Sequence, residues 1–402
     1  MSSTPQPIRG MQSLIGEEAD RFHTVVAAFD RVRRLYGFKR VEVPVLESTA
    51  VFARTMGETT DVVSKEMYSF EDRSGDSVTM RPEFTAGIAR AYLSEGWQRF
   101  APLKVATHGA AFRYERPQKG RFRQFHQLDA EILGSADPQS DVELLAFGDQ
   151  LLRELEIGGV TLILNTLGDG PSRETWRSQL IDYFTAHKAE LSEDSQDRLE
   201  RNPLRILDSK DPRDRVFADK APVMVLSAEA EDFFGQVRAG LDAAGVLYQL
   251  APHLVRGLDY YRHTAFEFVT DRLGAQGTVM AGGRYDGLLE QLGGPHTPAV
   301  GWAAGIERLS MLIDEPAPDV LDAAVVVEDD SQLPIAWEAA SKLRSTGLSV
   351  ELVASGSPRK RYDRAVKKGA KELLILGTDA DGAATRRVRV EGASRISEVL
   401  GL

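Results

Sequence analysis

The chain has 402 residues, of which 42% are hydrophobic and 27% charged, as is ordinary for a soluble globular protein of two or three domains. It contains no cysteine, which excludes disulfides, thiolate nucleophiles and cysteine-ligated metals and fits a reducing compartment. Its formal net charge of −11 argues at first sight against a nucleic-acid partner, because binding to a phosphate backbone needs basic surface.

The sequence predicts neither a membrane span nor an export signal. No apolar run approaches the roughly 18 residues that a membrane helix needs. Residues 1–7 also lack the apolar core of a signal peptide. We therefore expect a cytoplasmic protein without membrane association.

The first third of the chain predicts short helices and strands in succession. Apolar residues recur at helical spacing over 17–36, and Gly37 ends that helix. Alternation predicts a strand over 40–46, which Pro44 places at an edge or an interface because proline cannot donate to a ladder. Further strands are expected near 66–70, 77–80, 103–115 and 123–133, with a helix over about 85–95. This succession favours an antiparallel sheet with a few helices.

The middle of the chain has a different composition from its two flanks. Residues 171–250 are rich in charge and predict helices, among them 174–191 and 228–244. Strand-like sequence resumes at Leu254, so the pattern predicts a helical unit inserted into the sheet core. After Pro318, strands near 323–327, 348–353 and 372–376 alternate with helices over 333–345 and 358–369. Such alternation predicts a separate small α/β domain with a largely parallel sheet.

The common nucleotide-binding fingerprints are absent from the sequence. There is no G-x-x-x-x-G-K-[ST] loop, and Gly168-Asp169-Gly170 lacks the third glycine of a dinucleotide motif, so we interpret it as a turn. The seven histidines show no metal-ligand spacing, and we expect no protein-ligated metal. His108 and His126 are interpreted as hydrogen-bonded structural residues.

A basic stretch is the first candidate for binding an anion. Residues 116–123 contain four basic side chains and no acid. On a strand reaching residue 115, Arg113 and Glu115 face the same side, and an arginine on a sheet surface needs an anion such as phosphate. The alternative is a solvated hairpin tip.

Two further segments combine small residues with charged ones. In 301–309, small residues precede a helix that opens near Ile306 with Arg308 in its first turn, and a helix N-terminus with an arginine is a phosphate site. In 255–261 and 281–287, arginine, aspartate and tyrosine stand among apolar residues. Burying them is costly unless they satisfy one another or a polar ligand, so a structural polar network is the alternative.

Together these segments resemble the three motifs of class II aminoacyl-tRNA synthetases, specifically those of the histidyl-tRNA synthetase family. Residues 41–47 are similar to motif 1, 112–134 to motif 2 and 299–313 to motif 3, while 256–261 and 282–287 are similar to the two histidine-specific signatures. The resemblance implies an α+β catalytic core, an antiparallel sheet flanked by helices, over 1–320. An inserted helical domain at 171–250 interrupts this core, and a C-terminal α/β anticodon-binding domain follows over 321–402.

The resemblance implies that histidine attacks the α-phosphate of ATP, supplied with Mg²⁺, and that the histidyl group then passes to the 3′ end of tRNA(His). Arg113 and Arg256 are then catalytic residues at the α-phosphate. Arg113, Glu115 and Arg308 bind ATP, with Arg308 at its γ-phosphate and Glu115 orienting ATP or its metal. The residues implied to bind histidine are Glu83, Thr85, Gln127, Glu131, Tyr260, Tyr261 and Tyr285. Motif 1 further implies a homodimer.

The RNA partner is expected on local basic patches rather than on the whole surface. Residues 318–402 carry 13 basic and 13 acidic side chains, so the net charge of −11 belongs to 1–317. Within the neutral segment, 359–371 has seven basic side chains and one acidic one. The residues predicted to contact tRNA are Arg116, Gln118, Arg123, Arg359 and Arg361. A solvated helix face is the alternative for 359–371.

Two features depart from the family pattern. Phe84 stands where many members have glycine, which is expected to narrow the space beside Glu83, and the C-terminal domain of about 80 residues looks trimmed. The runner-up function is a histidine-binding regulatory subunit of ATP phosphoribosyltransferase, which resembles the synthetase core. That class usually lacks the anticodon domain and alters the segment that contains Arg256.

Overall fold

The computed structural model describes residues 4–57, 60, 62–255, 261–274, 277–317, 320–379, 381, 383–390 and 394–402. The chain divides into two compact units, Met1–Pro316 and Ala317–Leu402. No helix among the described residues is long and apolar enough to cross a membrane.

The first unit mixes helices and strands throughout. Its helices are α1 (Glu17–Leu35), α2 (Thr49–Met56), α3 (Thr85–Ser94), α4 (Pro138–Glu154), α5 (Gly170–Ala186), α6 (Glu193–Arg201), α7 (Pro212–Ala218), α8 (Ala228–Ala244), α9 (Leu288–Gln291) and α10 (Ile306–Ser310). Its strands are β1 (Lys39–Arg40), β2 (Leu46–Ser48), β3 (Tyr68–Glu71), β4 (Ser77–Met80), β5 (Leu103–Phe112), β6 (Gln124–Leu133), β7 (Thr161–Thr166), β8 (Tyr248–Leu250), β9 (Arg262–Val269), β10 (Thr278–Arg284) and β11 (Ala299–Gly305).

The main sheet carries the site described below. Within the described residues its order is β1-β5-β6-β11-β10-β9-β7-β8, and the pairs from β5 to β7 are all antiparallel. Only the two outermost pairs, β1 with β5 and β7 with β8, are parallel. The prediction of an antiparallel sheet flanked by helices is confirmed.

Helix α1 shows why the sequence pattern succeeded where it was strongest. Acidic residues in its first turn and Arg33 and Arg34 in its last turn match the helix dipole. Val25, Phe29 and Val32 are buried in a core cluster with residues of α4 and the main sheet, such as Phe147 and Trp302. The 3–4 spacing of these apolar residues therefore predicts both the helix and the face that it buries.

The strand expected over 40–46 is wrong. Only the ends of this segment pair, as β1 beside β5 and as β2 in a small sheet of order β2-β4-β3. Between them the Val41 amide donates to Ala106, and the Val45 carbonyl accepts from the Arg81 amide at 2.8 Å. Because Pro44 has no amide hydrogen, the segment bridges two sheets instead of forming one continuous strand.

The inserted segment separates into two parts by its contacts. Helices α5 to α7 pack together, and the buried Asp214 carboxylate accepts from the hydroxyls of Ser192, Ser195 and Ser209 at 2.6–2.7 Å. Helix α8 places Phe234, Val237 and Leu241 in one core cluster with the main sheet. Helices α5 to α7 share a second cluster with main-sheet residues such as Val105 and Ala299, and the inserted domain at 171–250 stays a prediction.

The second unit contains strands β12 (Ala323–Val327), β13 (Val350–Val353), β14 (Glu372–Thr378) and β15 (Ala384–Val390), with helices α11 (Leu333–Ser345), α12 (Pro358–Lys367) and α13 (Arg395–Leu400). Its sheet has the order β13-β12-β14-β15, and the first two pairs are parallel, as the βαβαβ pattern predicts. The antiparallel edge strand β15 was not predicted, because its basic ATRRVRV sequence lacks the apolar alternation of a half-buried strand.

Candidate active site

A cavity of about 470 Å³ lies on one face of the main sheet, over strands β6, β10 and β11. Its floor includes Gln127, Ala281, Gly301 and Ala303, while the start of α3, the chain after β5 and the start of α10 form its walls. Eight of the predicted site residues line it, namely Glu83, Thr85, Arg113, Glu115, Gln127, Tyr261, Tyr285 and Arg308. Predicted residues Arg256 and Tyr260 lie outside the described residues.

We call one part of the cavity the carboxylate end, formed by Glu83, Thr85, Gln127, Tyr261 and Tyr285. The Glu83 carboxylate accepts hydrogen bonds from the Thr85 and Ala86 amides at 2.7 and 2.9 Å, so it caps the N-terminus of α3. Burial raises the pKa of Glu83, and the hydrogen bonds from the helix oppose that rise. The cap therefore fixes a carboxyl group at the cavity wall.

Glu131 lies behind this wall rather than in it. Its carboxylate accepts from the Thr85 hydroxyl at 2.6 Å and from the Tyr285 hydroxyl, two groups that do line the cavity. Only 1% of Glu131 is exposed, and burial raises its pKa to about 8. Glu131 thus orients the two hydroxyls that line the cavity.

Gln127 presents an unsatisfied acceptor at this end. It lines the cavity, only 9% of it is exposed, and its Oε1 atom has no hydrogen-bond partner among the described residues. Buried side-chain oxygens are normally satisfied. A donor such as an ammonium group would satisfy this one.

The glycines of the 282–287 and 301–309 segments permit close approach of side chains. A Cβ at Gly301 would overlap the Glu131 carboxylate, and one at Gly283 would lie 2.8 Å from the Tyr261 ring. The absence of side chains at these two positions therefore brings Glu131 and Tyr261 against the floor of the cavity. This is the physical reason for glycine in both segments.

The sequence allowed two interpretations of the 282–287 segment, a structural polar network and a ligand site. Each holds for a different residue. Arg284 is fully buried and forms ion pairs with Asp141 and Asp286, as the structural-network alternative predicts. Its pKa is raised, because these carboxylates outweigh the opposing effect of burial. Tyr285, one residue later, points to the opposite side and lines the cavity. The network anchors the end of β10 from which Tyr285 extends.

Phe84 does not narrow the cavity as expected. Its ring is 1% exposed and packs in a hydrophobic cluster with Val43 and Ile88. The Arg81 guanidinium stacks on this ring at 4.0 Å and donates to the Val43 and Ala110 carbonyls at 2.8 Å. Phe84 therefore supports the chain before α3 from the side opposite the cavity.

We call the other part of the cavity the guanidinium end, formed by Arg113, Arg121 and Arg308. Arg308 donates to the Gly120 and Thr278 carbonyls at 3.0 and 2.7 Å, which holds its side chain along the cavity wall. Burial lowers the pKa of Arg308, and Arg121 and Arg113 lower it further. Three cations close enough to act on one another favour a polyanionic ligand.

Arg113 lies nearest the carboxylate end. Strand β5 ends at Phe112, so Arg113 and Glu115 follow the strand instead of extending it, contrary to the expectation of a strand to 115. The Arg113 Nε atom donates to the Pro82 carbonyl at 3.0 Å, and its charge opposes the rise in the pKa of Glu83. Arg113 is thus placed where the two ends of the cavity meet.

Several residues of the cavity were not predicted from the sequence. Arg121 lines it and forms an ion pair with Glu115. Glu307 accepts from the His126 backbone and ring nitrogens at 3.0 and 2.8 Å, which makes His126 structural, as expected. Glu267 is a lone acid on the apolar strand β9, a signal that could have identified it. Asp208 and Lys210 reach the cavity from the insertion, and no sequence pattern marks them.

The side chains predicted to contact RNA differ in their exposure to solvent. Arg116 and Gln118 are exposed on the loop after β5. Arg123 stacks on the Tyr114 ring at 3.7 Å and donates to the Glu115 carbonyl, so it also stabilises that loop.

In the second unit, Arg359 is exposed but Arg361 is 7% exposed, donates to the Gly356 and Val327 carbonyls and pairs with Asp330. Arg361 is therefore held by bonds within its own unit, and its contact with RNA stays a prediction without support from exposure. Its guanidinium links α12 to the end of β12.

Comparisons with known proteins agree over nearly the whole chain. The family model described as histidyl-tRNA synthetase matches residues 10–309. The histidine–tRNA ligase of Novosphingobium aromaticivorans is 68% identical over 97% of this chain and 94% of its own length, and that of Gluconobacter oxydans is 52% identical over 93% and 91%. The crystal structure of apo histidyl-tRNA synthetase from S. aureus covers 96% of this chain and 97% of its own, with 29% identity and a TM-score of 0.77.

Proposed function

The chain belongs to the histidyl-tRNA synthetase family, and we propose that it is a histidine–tRNA ligase that forms histidyl-adenylate and then charges tRNA(His). The observation that carries this proposal is the division of one cavity into a carboxylate end and a guanidinium end that meet at Arg113. An amino acid with a cationic ammonium group fits the first end, and the polyphosphate of ATP fits the second.

Histidine would bind with its ammonium group between Glu83, Thr85 and the unpartnered Oε1 atom of Gln127. Its imidazole ring would lie toward Tyr261 and Tyr285, with Glu131 behind them as acceptor. Imidazole presents a donor and an acceptor, which a carboxylate and a tyrosine hydroxyl can pair. A site that hydrogen-bonds its substrate can reject analogues lacking those groups by about 10⁴–10⁵-fold.

In the first step a carboxylate oxygen of histidine would attack the α-phosphorus of ATP, and pyrophosphate would leave. No side chain needs to act as nucleophile, so catalysis consists of positioning and of stabilising charge on the phosphoryl oxygens. Arg113 is suited to the α-phosphate because it lies where both substrates meet, and Arg308 and Arg121 are suited to the departing pyrophosphate. The resemblance assigns Arg256 to the α-phosphate and Tyr260 to the histidine pocket, and both assignments stay predictions.

ATP would enter as its Mg²⁺ complex. Glu115 and Glu267 line the cavity at the guanidinium end, and their carboxylates suit a hard cation that retains several waters. The metal would offset charge on the phosphates, while Glu115, through its ion pair, also holds Arg121. We place the metal with the nucleotide and not in a dedicated protein site.

In the second step a hydroxyl of the 3′-terminal adenosine would attack the histidyl carbonyl, and AMP would leave. The exposed Arg116 and Gln118 beside the cavity mouth and Arg359 on α12 are proposed to contact tRNA. The exposed strand residue Arg386 joins this set, since β15 adds basic side chains that the sequence pattern had not singled out. Such contacts would weaken as salt rises.

We also propose a cytoplasmic homodimer. Leu46 on β2 and Phe70 on β3 are 47% and 48% exposed, and the register of the small sheet puts them on one face. Burying this apolar patch against a second copy would remove it from water. The lack of cysteine suits a reducing compartment.

The regulatory-subunit alternative explains only half of the cavity. A protein that senses histidine without activating it has no use for three arginines facing a polyanion site, and this chain carries the C-terminal unit as well. Histidine-dependent exchange of labelled pyrophosphate into ATP separates the two functions. Exchange that needs both histidine and Mg²⁺ supports the ligase, whereas histidine binding without exchange supports the regulator and overturns our proposal.

A further inference from the structure

Three carboxyl groups lie in one buried layer at the carboxylate end of the cavity. Glu83, Asp129 and Glu131 are 5%, 0% and 1% exposed. Glu83 caps α3 and Glu131 accepts from two hydroxyls, as described above. Asp129 has no part in the proposed reaction, and so its presence in this layer needs an explanation.

The position of Asp129 follows from the alternation of β6. Gln127, Asp129 and Glu131 are two residues apart and share one face of the strand. In register, Asp129 faces Thr107 of β5 on one side and Ala303 of β11 on the other. Neither oxygen of Asp129, nor the Thr107 hydroxyl, has a hydrogen-bond partner among the described residues. Burying a carboxylate without a partner is energetically costly, so the Asp129 carboxyl group must either hold a proton or pair with a cation.

The charged groups around Asp129 are mostly of its own sign. Those that act on it within the described residues are Glu131 on its own strand, Glu83 before α3 and Arg81 after β4. The facing residues of β5 and β11, Thr107 and Ala303, do not titrate in this range. Among the arginines, Arg81 acts on Asp129 and Arg113 acts on Glu83, while the Arg81 Nε and Nη1 atoms donate to the Ala110 and Val43 carbonyls.

Buried carboxyl groups this close cannot all ionise while the cavity is empty. Burial, reinforced by the charge of Glu131, raises the pKa of Asp129 well above its ordinary value, and burial raises that of Glu131 to about 8. Interacting groups of this kind titrate as a set, so the protons belong to the cluster and not to one residue.

We propose that Asp129 is a positioning residue of the amino-acid site: it acts through the shared charge of the carboxyl cluster, holds a proton while the cavity is empty, and loses that proton when a cationic amino acid binds. The proposal rests on the function proposed above, because it needs an ammonium group at Glu83 and Gln127. The incoming positive charge favours the ionised carboxylates, and the displaced proton passes to solvent.

The sign of the pH effect follows directly. A cluster that must lose a proton to bind its ligand binds more weakly as pH falls, so the KM for histidine should rise on acidification. For one proton lost on binding, the KM for histidine should rise by up to about tenfold for each pH unit below the pKa of the cluster. Asp129→Asn removes this titrating group from the cluster, so the rise in the KM for histidine on acidification should shrink to less than about threefold.

Calorimetric titration of the full-length protein with L-histidine at pH 7.5 tests this proposal. Measurements in two buffers of different ionisation enthalpy count the protons released on binding. We expect the wild type to release more than about half a proton and Asp129→Asn, whose amide keeps the shape, less than about a third of that amount. KM for histidine is measured over pH 7.0–8.5 for both, while kcat and the KM for ATP should change less than about twofold.

Thr107→Val is the matched control, because it alters the neighbouring buried side chain without changing charge. It should release as many protons as the wild type. Asp129→Ser repeats the test with a smaller neutral side chain where the amide variant is unstable. Equal proton release from the wild type and the Asp129 variants overturns this proposal alone, provided that histidine-dependent pyrophosphate exchange is normal. Absence of exchange from folded wild-type protein overturns the proposed function instead.

Discussion

The two ends of the cavity are formed by different structural elements and differ in how far their side chains are buried. The carboxylate end rests on β6, β10 and the N-terminus of α3, and its side chains are at most 9% exposed. The guanidinium end is formed largely by the chain after β5, where Arg113 and Arg121 are only half-buried. A small polar substrate is selected by hydrogen bonds that must be made in the absence of water. A polyphosphate carries enough charge to be held by arginines that remain partly hydrated.

Loss of Arg113 should give the largest effect, because this residue lies where the two ends meet. In Arg113→Gln we expect kcat for pyrophosphate exchange to fall by about a hundredfold to a thousandfold, the usual cost of one donor at a developing charge. The KM for histidine should change much less. Steady-state exchange kinetics measure both, with Arg177→Gln on α5 as a control for loss of a surface arginine. A fall confined to histidine affinity would contradict the role of Arg113.

Gly301→Ala tests the close packing of the carboxylate end. The new methyl group would overlap the Glu131 carboxylate, and overpacking of this kind costs about 1–3 kcal/mol. We therefore expect the KM for histidine to rise roughly tenfold to a hundredfold while the KM for ATP holds. Gly235→Ala in α8 is the control, since a methyl group there meets no atom within 4 Å. An unchanged KM for histidine would show that Glu131 has room to move.

Tyr285→Phe removes one of the two hydroxyls that Glu131 accepts. A buried charged acceptor that loses a donor costs about 1.5–3 kcal/mol, so the KM for histidine should rise roughly tenfold or more. Tyr183→Phe, which loses a hydroxyl bonded to the Phe217 carbonyl in the insertion, is the matched control. Equal kinetics for the two variants would remove Tyr285 from the histidine site.

Phe84→Leu should have the smallest effect on activity, although residue 84 is adjacent to Glu83. The ring packs away from the cavity, so thermal unfolding should report a loss of about 1 kcal/mol while the KM for histidine changes less than twofold. Rise of that KM without loss of stability would mean that the ring faces the substrate after all. This variant therefore tests whether the carboxylate end stops at Glu83 and excludes the side chain of residue 84.

Regular alternation of apolar and polar residues made the sheet predictable from the sequence. Parts of the site were not predictable, because their side chains form hydrogen bonds that the sequence pattern does not show. Strands β5 and β6, helix α1 and the motif residues Arg113 and Arg308 follow from sequence spacing or from resemblance. Arg361 looked like a free basic residue because the carbonyls that it bonds belong to other elements.

Long-range placement accounts for the other differences. Glu131 was expected to face the substrate, but its position behind Thr85 and Tyr285 depends on three separate elements. Asp208 and Lys210 come from an insertion whose approach to the cavity no local pattern encodes. Phe84 differs again, since its direction is set by the Arg81 guanidinium stacked on it.

The place where the insertion enters the chain has a consequence for its removal. Strands β7 and β8 are parallel neighbours, and α8 packs on the core between them in sequence, so β7, α8 and β8 form one crossover unit. Helices α5 to α7 occupy only the connection from β7 to α8. Loop-closure cost grows slowly with length, so such a connection can lengthen or shorten without shifting the register of the sheet. The insertion can therefore vary as a module, carrying its share of the cavity wall with it.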